Sequence, residues 1–244
     1  MKVCVAGEGI WDVGWSRNRE DGPEYAGDVP LILAAIVRER LGRNRRFVCE
    51  GWTHAGLPHV HPPIADGWPR PPAEALAREL LFAAAAASHR DDVDALVFVR
   101  DSRLDGHEDR RRACEQVLRE CRVRGDRPPV VLGLAVQEIE VWLLADPQSR
   151  AAAFGAAVGN RECGTPEELP DPKQCWRTML GEAAAGGGDG RFDAECRTRA
   201  IEAMRPKVVA DSCHRGFGPF RQGVVDTIVP RLHPGHAAPG GERT

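Results

Sequence analysis

The stretch from Val93 to Gly106 constrains the fold most. Leu96, Val97, Phe98 and Val99 form a continuous apolar run that stops at Arg100-Asp101, with Asp105-Gly106 just beyond. A run of this length, apolar at every position, predicts a strand buried on both faces of a parallel sheet. Open sheets of that kind present functional groups just past the carboxyl ends of their strands. Asp101 is expected at that rim and Asp105 in the loop behind it. Two neighbouring carboxylates are costly unless a cation or a proton shares the site.

The rest of the chain fits around that strand. Lys2 to Ala6 predicts a first short strand, followed at once by Gly7-Glu8-Gly9, a tight turn able to present Glu8 at the strand's end. Asp28 ahead of Val29-Pro30 predicts a helix N-cap, and Leu31, Ile32, Ala35, Ile36 and Leu41 continue at helical spacing. Residues 46–52 predict a second strand, and the alanine-rich residues 74–87 a helix. Residues 108–122 form an amphipathic pattern, and residues 130–136 another buried strand. A short helix then follows Glu138 and stops at Asp146-Pro147, with Asp146 expected to cap or turn.

Strand patterns become scarce after Pro147. Asp171-Pro172-Lys173 reads as an N-cap opening a helix through Trp176 and Leu180, and two weaker helical patterns cover 201–209 and 217–228. Residues 183–190 are rich in Ala and Gly and read as a loop. The expected organisation is a parallel, Rossmann-like α/β core over residues 1–147, with 53–72 as a loop insert. A helical extension over 148–230 packs on it, and 231–244 form a disordered tail.

Composition removes several function classes. The net charge is −3, so no global basic footprint marks a nucleic-acid binder, although local arginine clusters such as Arg110-Arg111-Arg112 remain available. The first residues are too short for a signal-peptide core and no run is long enough to span a membrane, so a cytoplasmic location is expected. The eight cysteines contain no Cys-x-x-Cys pair and are expected to be reduced. His54, His59 and His61 lie in the proline-rich insert, where zinc ligation competes with plain exposure. Ser16, Ser102 and Ser212 have no His or Asp partner at informative spacing, so no hydrolytic triad is expected.

The acids that end predicted strands are Glu8, then Asp101 and Asp105, then Glu138 and Glu140. Parallel strands bring such ends to one rim, and clustered oxygen ligands suit Mg²⁺ or Mn²⁺. Bland readings stand beside each. Glu8 can stabilise a glycine turn, Asp101 can cap a helix, Asp105-Gly106 is itself a turn signal, and Lys173 can be a solvated helix residue.

Over residues 2–220 the chain resembles a bacterial Toprim-like family of unknown function, distantly similar to the Toprim domain of overcoming-lysogenization-defect nucleases. The resemblance rests on Gly7-Glu8-Gly9 with Asp12, Val99-Arg100-Asp101 with Asp105-Gly106, Glu138-Ile139-Glu140-Val141-Trp142-Leu143-Leu144-Ala145-Asp146-Pro147, and Pro170-Asp171-Pro172-Lys173. It implies a Mg²⁺- or Mn²⁺-dependent nuclease or phosphodiesterase acting on DNA or RNA, in phage defence with an ATPase partner. On it, Glu8 would be a ligand or general base and Asp101 the principal metal ligand. Asp105 would be a second or water-mediated ligand. Glu140, with Glu138 as competitor, would be a further ligand or an acid supporting the ligands from behind, and Lys173 a phosphate contact. The Toprim pattern puts two aspartates one residue apart, whereas Arg103 stands two after Asp101 here. Either an insertion carries the second acid to Asp105 or that ligand is lost. In the latter case the chain would be a non-catalytic binding subunit of an ATPase-containing complex.

Overall fold

The structure is a computed structural model that describes residues 1–7, 12, 26–42, 47–53, 73–123, 128–161, 163–184 and 190–232. Four strands, β1 (Lys2–Gly7), β2 (Val48–Thr53), β3 (Ala95–Ser102) and β4 (Val130–Val136), form one parallel sheet in the order β2-β1-β3-β4. The register runs from Val3 opposite Cys49 and Ala95 in the centre to Ser102 opposite Val136 at the far end of β3. The expected parallel α/β fold with a helical carboxyl-terminal region is the one observed.

Parallel strands need crossovers, and the crossovers are helices: α1 (Asp28–Leu41), α2 (Ala73–Ser88) and α3 (His107–Val123). They cover opposite faces. Cys4, Ala6, Leu96 and Phe98 pack with Leu76, Leu80 and Ala84 of α2 and Cys114 of α3. On the other face, Val3, Val5, Val97 and Val99 pack with Ile32 and Ile36 of α1 and with aromatic residues from the last third of the chain. Every side chain of the central strand from Ala95 to Arg100 is therefore buried, which is why its sequence runs apolar without alternation.

After β4 come α4 (Glu140–Leu144), α5 (Pro147–Phe154), α6 (Ala156–Gly159), α7 (Pro172–Ala183), α8 (Gly190–Ala203), α9 (Pro206–Ser212) and α10 (Phe217–Thr227). Asp146 caps α5 by accepting from the Gln148 N–H at 3.0 Å, and Asp171 caps α7 through Gln174 at 2.8 Å. Both caps are as expected. The pattern over 201–209 instead straddles two helices. Pro206 cannot donate to the turn before it, and Asp146 takes the Arg205 N–H at 2.9 Å, so α8 ends and α9 begins there. Asp28 also departs from expectation. Gly27, at φ 86°, holds the capping position, while Asp28 is the first helical residue and is fully buried.

Trp142 of α4 binds this layer to the sheet. Its ring stacks on Phe220 at 5.2 Å and meets Phe217 edge-on at 5.2 Å. Phe220 in turn lies on the small patch made by Gly133 of β4, where a Cβ would stand 2.9 Å from its ring.

Candidate functional site

Asp101 is the last residue but one of β3 and lies opposite Ala135. Its half-buried carboxylate accepts the Ile139 N–H at 3.1 Å, just ahead of α4. A carboxylate suits that place because the free N–H groups of a helix start carry partial positive charge. The connection from β4 into α4 is tight. Gln137 adopts φ 69°, a left-handed conformation that costs a non-glycine residue on the order of 1–2 kcal/mol, and donates its N–H to the Ser102 carbonyl at 2.6 Å. This turn ties the ends of β3 and β4 together and aims the Glu138 side chain toward α7.

Of the two candidate glutamates, Glu140 is the expected ligand and Glu138 its competitor. Their environments are the reverse. One Glu138 oxygen accepts the Lys173 N–H at 3.2 Å and the other lies 3.7 Å from the Lys173 ammonium. Glu138 lines an open cleft of about 800 Å³ shared with Arg103, Asp105, Gln137, Asp171 and Pro172. Glu140 is buried and bonded to Arg197 at 2.7 Å. Arg197 also holds Asp28 at 2.5 Å and Asp193 at 3.2 Å, and its guanidinium lies over the Trp176 ring. Burial pushes the Glu140 carboxyl upward, but the charge and hydrogen bond of Arg197 outweigh it and hold the acid below its ordinary range.

Lys173 places a cation beside this rim, 3.7 Å from Glu138. Burial lowers its ammonium pKa, yet the charges of Glu140, Glu138 and Asp101 reverse that and raise it above the usual lysine value. Asp105 is exposed in a turn with Gly106 at φ 73°, and its carbonyl accepts from Arg110 at 2.9 Å. Glu8 and the insert histidines His54, His59 and His61 lie outside the described residues. Among the described residues, no three His, Cys, Asp or Glu side chains converge as a ligand set. Mg²⁺ is commonly held through one or two carboxylates, with water and substrate phosphate completing the shell. Asp101 and Glu138 both act on the Lys173 charge at this rim, whereas the Glu140 charge is balanced by Arg197 inside the core.

Two polar constellations were missed from the sequence. Ser102 does have a histidine partner: its hydroxyl lies 3.1 Å from His107 Nδ1, and His107 Nε2 lies 3.3 Å from the Arg215 carbonyl. The carbonyl can only accept, so Nε2 carries the proton and Nδ1 accepts from the serine. Both side chains are buried, and the pair locks α3 and the start of α10 to the end of β3. The i, i+5 spacing across a strand-to-helix turn was its only signal.

Arg100 is the second. It is 2% exposed, donates to Glu79 at 3.1 Å, to the Ala6 carbonyl at 3.1 Å and to the Val99 carbonyl at 2.8 Å, and covers the Phe98 ring. It therefore fills the carboxyl end of the gap between β1 and β3, where strand order reverses and such sheets bind ligands. Its Nη2 is buried with no hydrogen-bond partner among the described residues.

Compared with protein-family models, with curated proteins and with solved structures, the chain matches none. No helix among the described residues is long and apolar enough to cross a membrane.

Proposed function

We propose that the rim around Asp101 is a divalent-metal-dependent phosphodiester-hydrolysing site acting on nucleic acid. The observation that carries this reading is the anchoring of Asp101. Its carboxylate is fixed at the end of the central strand by the Ile139 N–H, beside an open cleft lined by Glu138 and flanked by Lys173. Asp101 and Glu138 would hold Mg²⁺ or Mn²⁺, with Glu8 and Asp105 as further candidates. When bound, such an ion polarises a phosphoryl oxygen and lowers the pKa of a coordinated water. Lys173, held charged by the surrounding acids, draws a phosphate toward the cleft, and Arg103 on its wall offers a bidentate donor to the next one. Glu140 takes the part of a buried anchor for Arg197.

The test is cleavage of single- and double-stranded DNA and RNA with Mg²⁺ or Mn²⁺, in the original chain and in Asp101→Asn and Glu8→Gln. Activity confined to the original chain supports the reading. Activity that survives both changes removes it.

A second reading is a non-catalytic binding subunit of an ATPase-containing complex. It is favoured by the same Lys173, whose ammonium already neutralises the rim acids. Oligonucleotide binding without measurable Mn²⁺ affinity would select it.

A further inference from the structure

All eight cysteines fall within the described residues, and Cys4, Cys114, Cys121, Cys196 and Cys213 are buried. Of the three that are not, Cys49 stands apart on β2, while Cys163 and Cys175 face one another with sulfurs 4.0 Å apart. Both backbones are anchored. Arg150, a buried residue of α5, donates to the Arg161 carbonyl at 3.1 Å and so holds the chain two residues before Cys163. Cys175 lies in the first turn of α7 and donates its N–H to the Asp171 carbonyl at 3.1 Å. Arg161 also pairs with Glu182 farther along α7 at 2.6 Å, which keeps the two segments side by side.

We propose that Cys163 and Cys175 form a reversible intramolecular disulfide when the protein meets a peroxide. Closing the pair needs an approach of roughly 2 Å, to a bond of about 2.05 Å. A rotamer change and a small shift of the loop at Gly164, whose φ is 67°, can supply that movement. The Cys163 sulfur attacks one peroxide oxygen, the O–O bond breaks, and hydroxide leaves with the thiol proton as water. The Cys175 sulfur then attacks the resulting sulfenic acid, the S–S bond forms, and a second water departs. Two electrons pass from the thiols to the peroxide. Burial first, then the neighbouring Cys163, push the Cys175 thiol up to about 11, which leaves it little thiolate for the first attack.

The location gives the bond a consequence. The segment it closes carries Pro170, Asp171 and Pro172 on the cleft wall, then Lys173. It also carries Glu167, whose buried carboxylate accepts the Arg215 and Gly216 N–H groups just ahead of α10. The disulfide restrains the wall of the cleft whatever chemistry the cleft performs.

The experiment treats the full chain with hydrogen peroxide, blocks remaining thiols by alkylation and digests with trypsin. Cleavage after Arg161, Lys173 and Arg177 puts the two cysteines on separate peptides, 162–173 and 174–177. The expected product is these two peptides joined, two hydrogens lighter than their sum, and separated again by dithiothreitol. Cys163→Ser and Cys175→Ser each abolish it, and Cys49→Ser leaves it intact. Amide exchange over residues 164–174 slows on oxidation. Sulfinic acid on unlinked peptides, or linkage of either cysteine to another partner, overturns the proposal. None of these readouts depends on nuclease activity, so the two proposals fail separately.

Discussion

Arg197 and Glu140, 57 residues apart, meet at 2.7 Å with both side chains at least 95% buried. The contact takes the more central glutamate of the Glu-Ile-Glu segment away from the rim and commits it to the core. A buried arginine flanked by Asp28, Glu140 and Asp193 is tolerable only while all partners are present.

Arg197→Met should therefore destabilise the fold by about 3–5 kcal/mol, because it strands two buried carboxylates. Urea titration with a tryptophan signal measures it. Glu140→Gln should lower the urea midpoint less and leave Mn²⁺ affinity unchanged. A large loss of Mn²⁺ binding in that variant would return Glu140 to the ligand set.

Asp101→Asn keeps an oxygen acceptor for the Ile139 N–H but loses the charge. Its stability should stay within about 1 kcal/mol of the original chain, as expected when a hydrogen bond is retained. Its Mn²⁺-dependent cleavage should disappear. Glu138→Gln, which removes the charge of the second carboxylate proposed to hold the ion, should also weaken Mn²⁺ binding. Calorimetric Mn²⁺ titration measures it.

Mild acid should weaken the fold through His107. Burial pushes its pKa below the ordinary 6.5, the opposing pull of the Arg215 carbonyl being smaller. The unfolded chain therefore takes up the proton first, and stability falls as pH drops from about 6.5 toward the folded-state pKa, then levels. His107→Gln should be less stable at neutral pH and flat across that window. Melting temperatures from pH 8 to 5 check both.

Gly133→Ala should cost about 1–3 kcal/mol by overpacking. The new methyl would meet Phe220 at 2.9 Å and Val99 at 3.0 Å, and Phe220 is pinned against Trp142. Chemical denaturation gives the value, and Phe220→Leu in the same chain should recover part of it.

The sheet was legible because its strands are buried on both faces and carry their signal locally. Leu96 to Val99 and Val130 to Val136 need no knowledge of their neighbours to read as strands. Asp101 was placed correctly at the rim for the same reason. The roles of Asp28 and Glu140 were not legible, since their partner Arg197 is 169 and 57 residues away and no local pattern reports such a pairing. Arg100 was read only as the polar end of a run. Its burial depends on Glu79 from a helix and on the Ala6 carbonyl from the neighbouring strand. The helix boundary at Arg205 was missed because it is set by Asp146, 59 residues earlier.

The ion cluster around Arg197 also imposes an order on synthesis. A nascent chain that has just emerged as far as Leu144 already carries Asp28 and Glu140, but the guanidinium that joins them is still to be translated, and Phe217 and Phe220 come later still. Until then the sheet lacks its aromatic cover on one side and two acids stay hydrated. Tight closure of that half of the molecule is thus a late event, one a ribosome-stalled chain ending before Arg197 cannot complete.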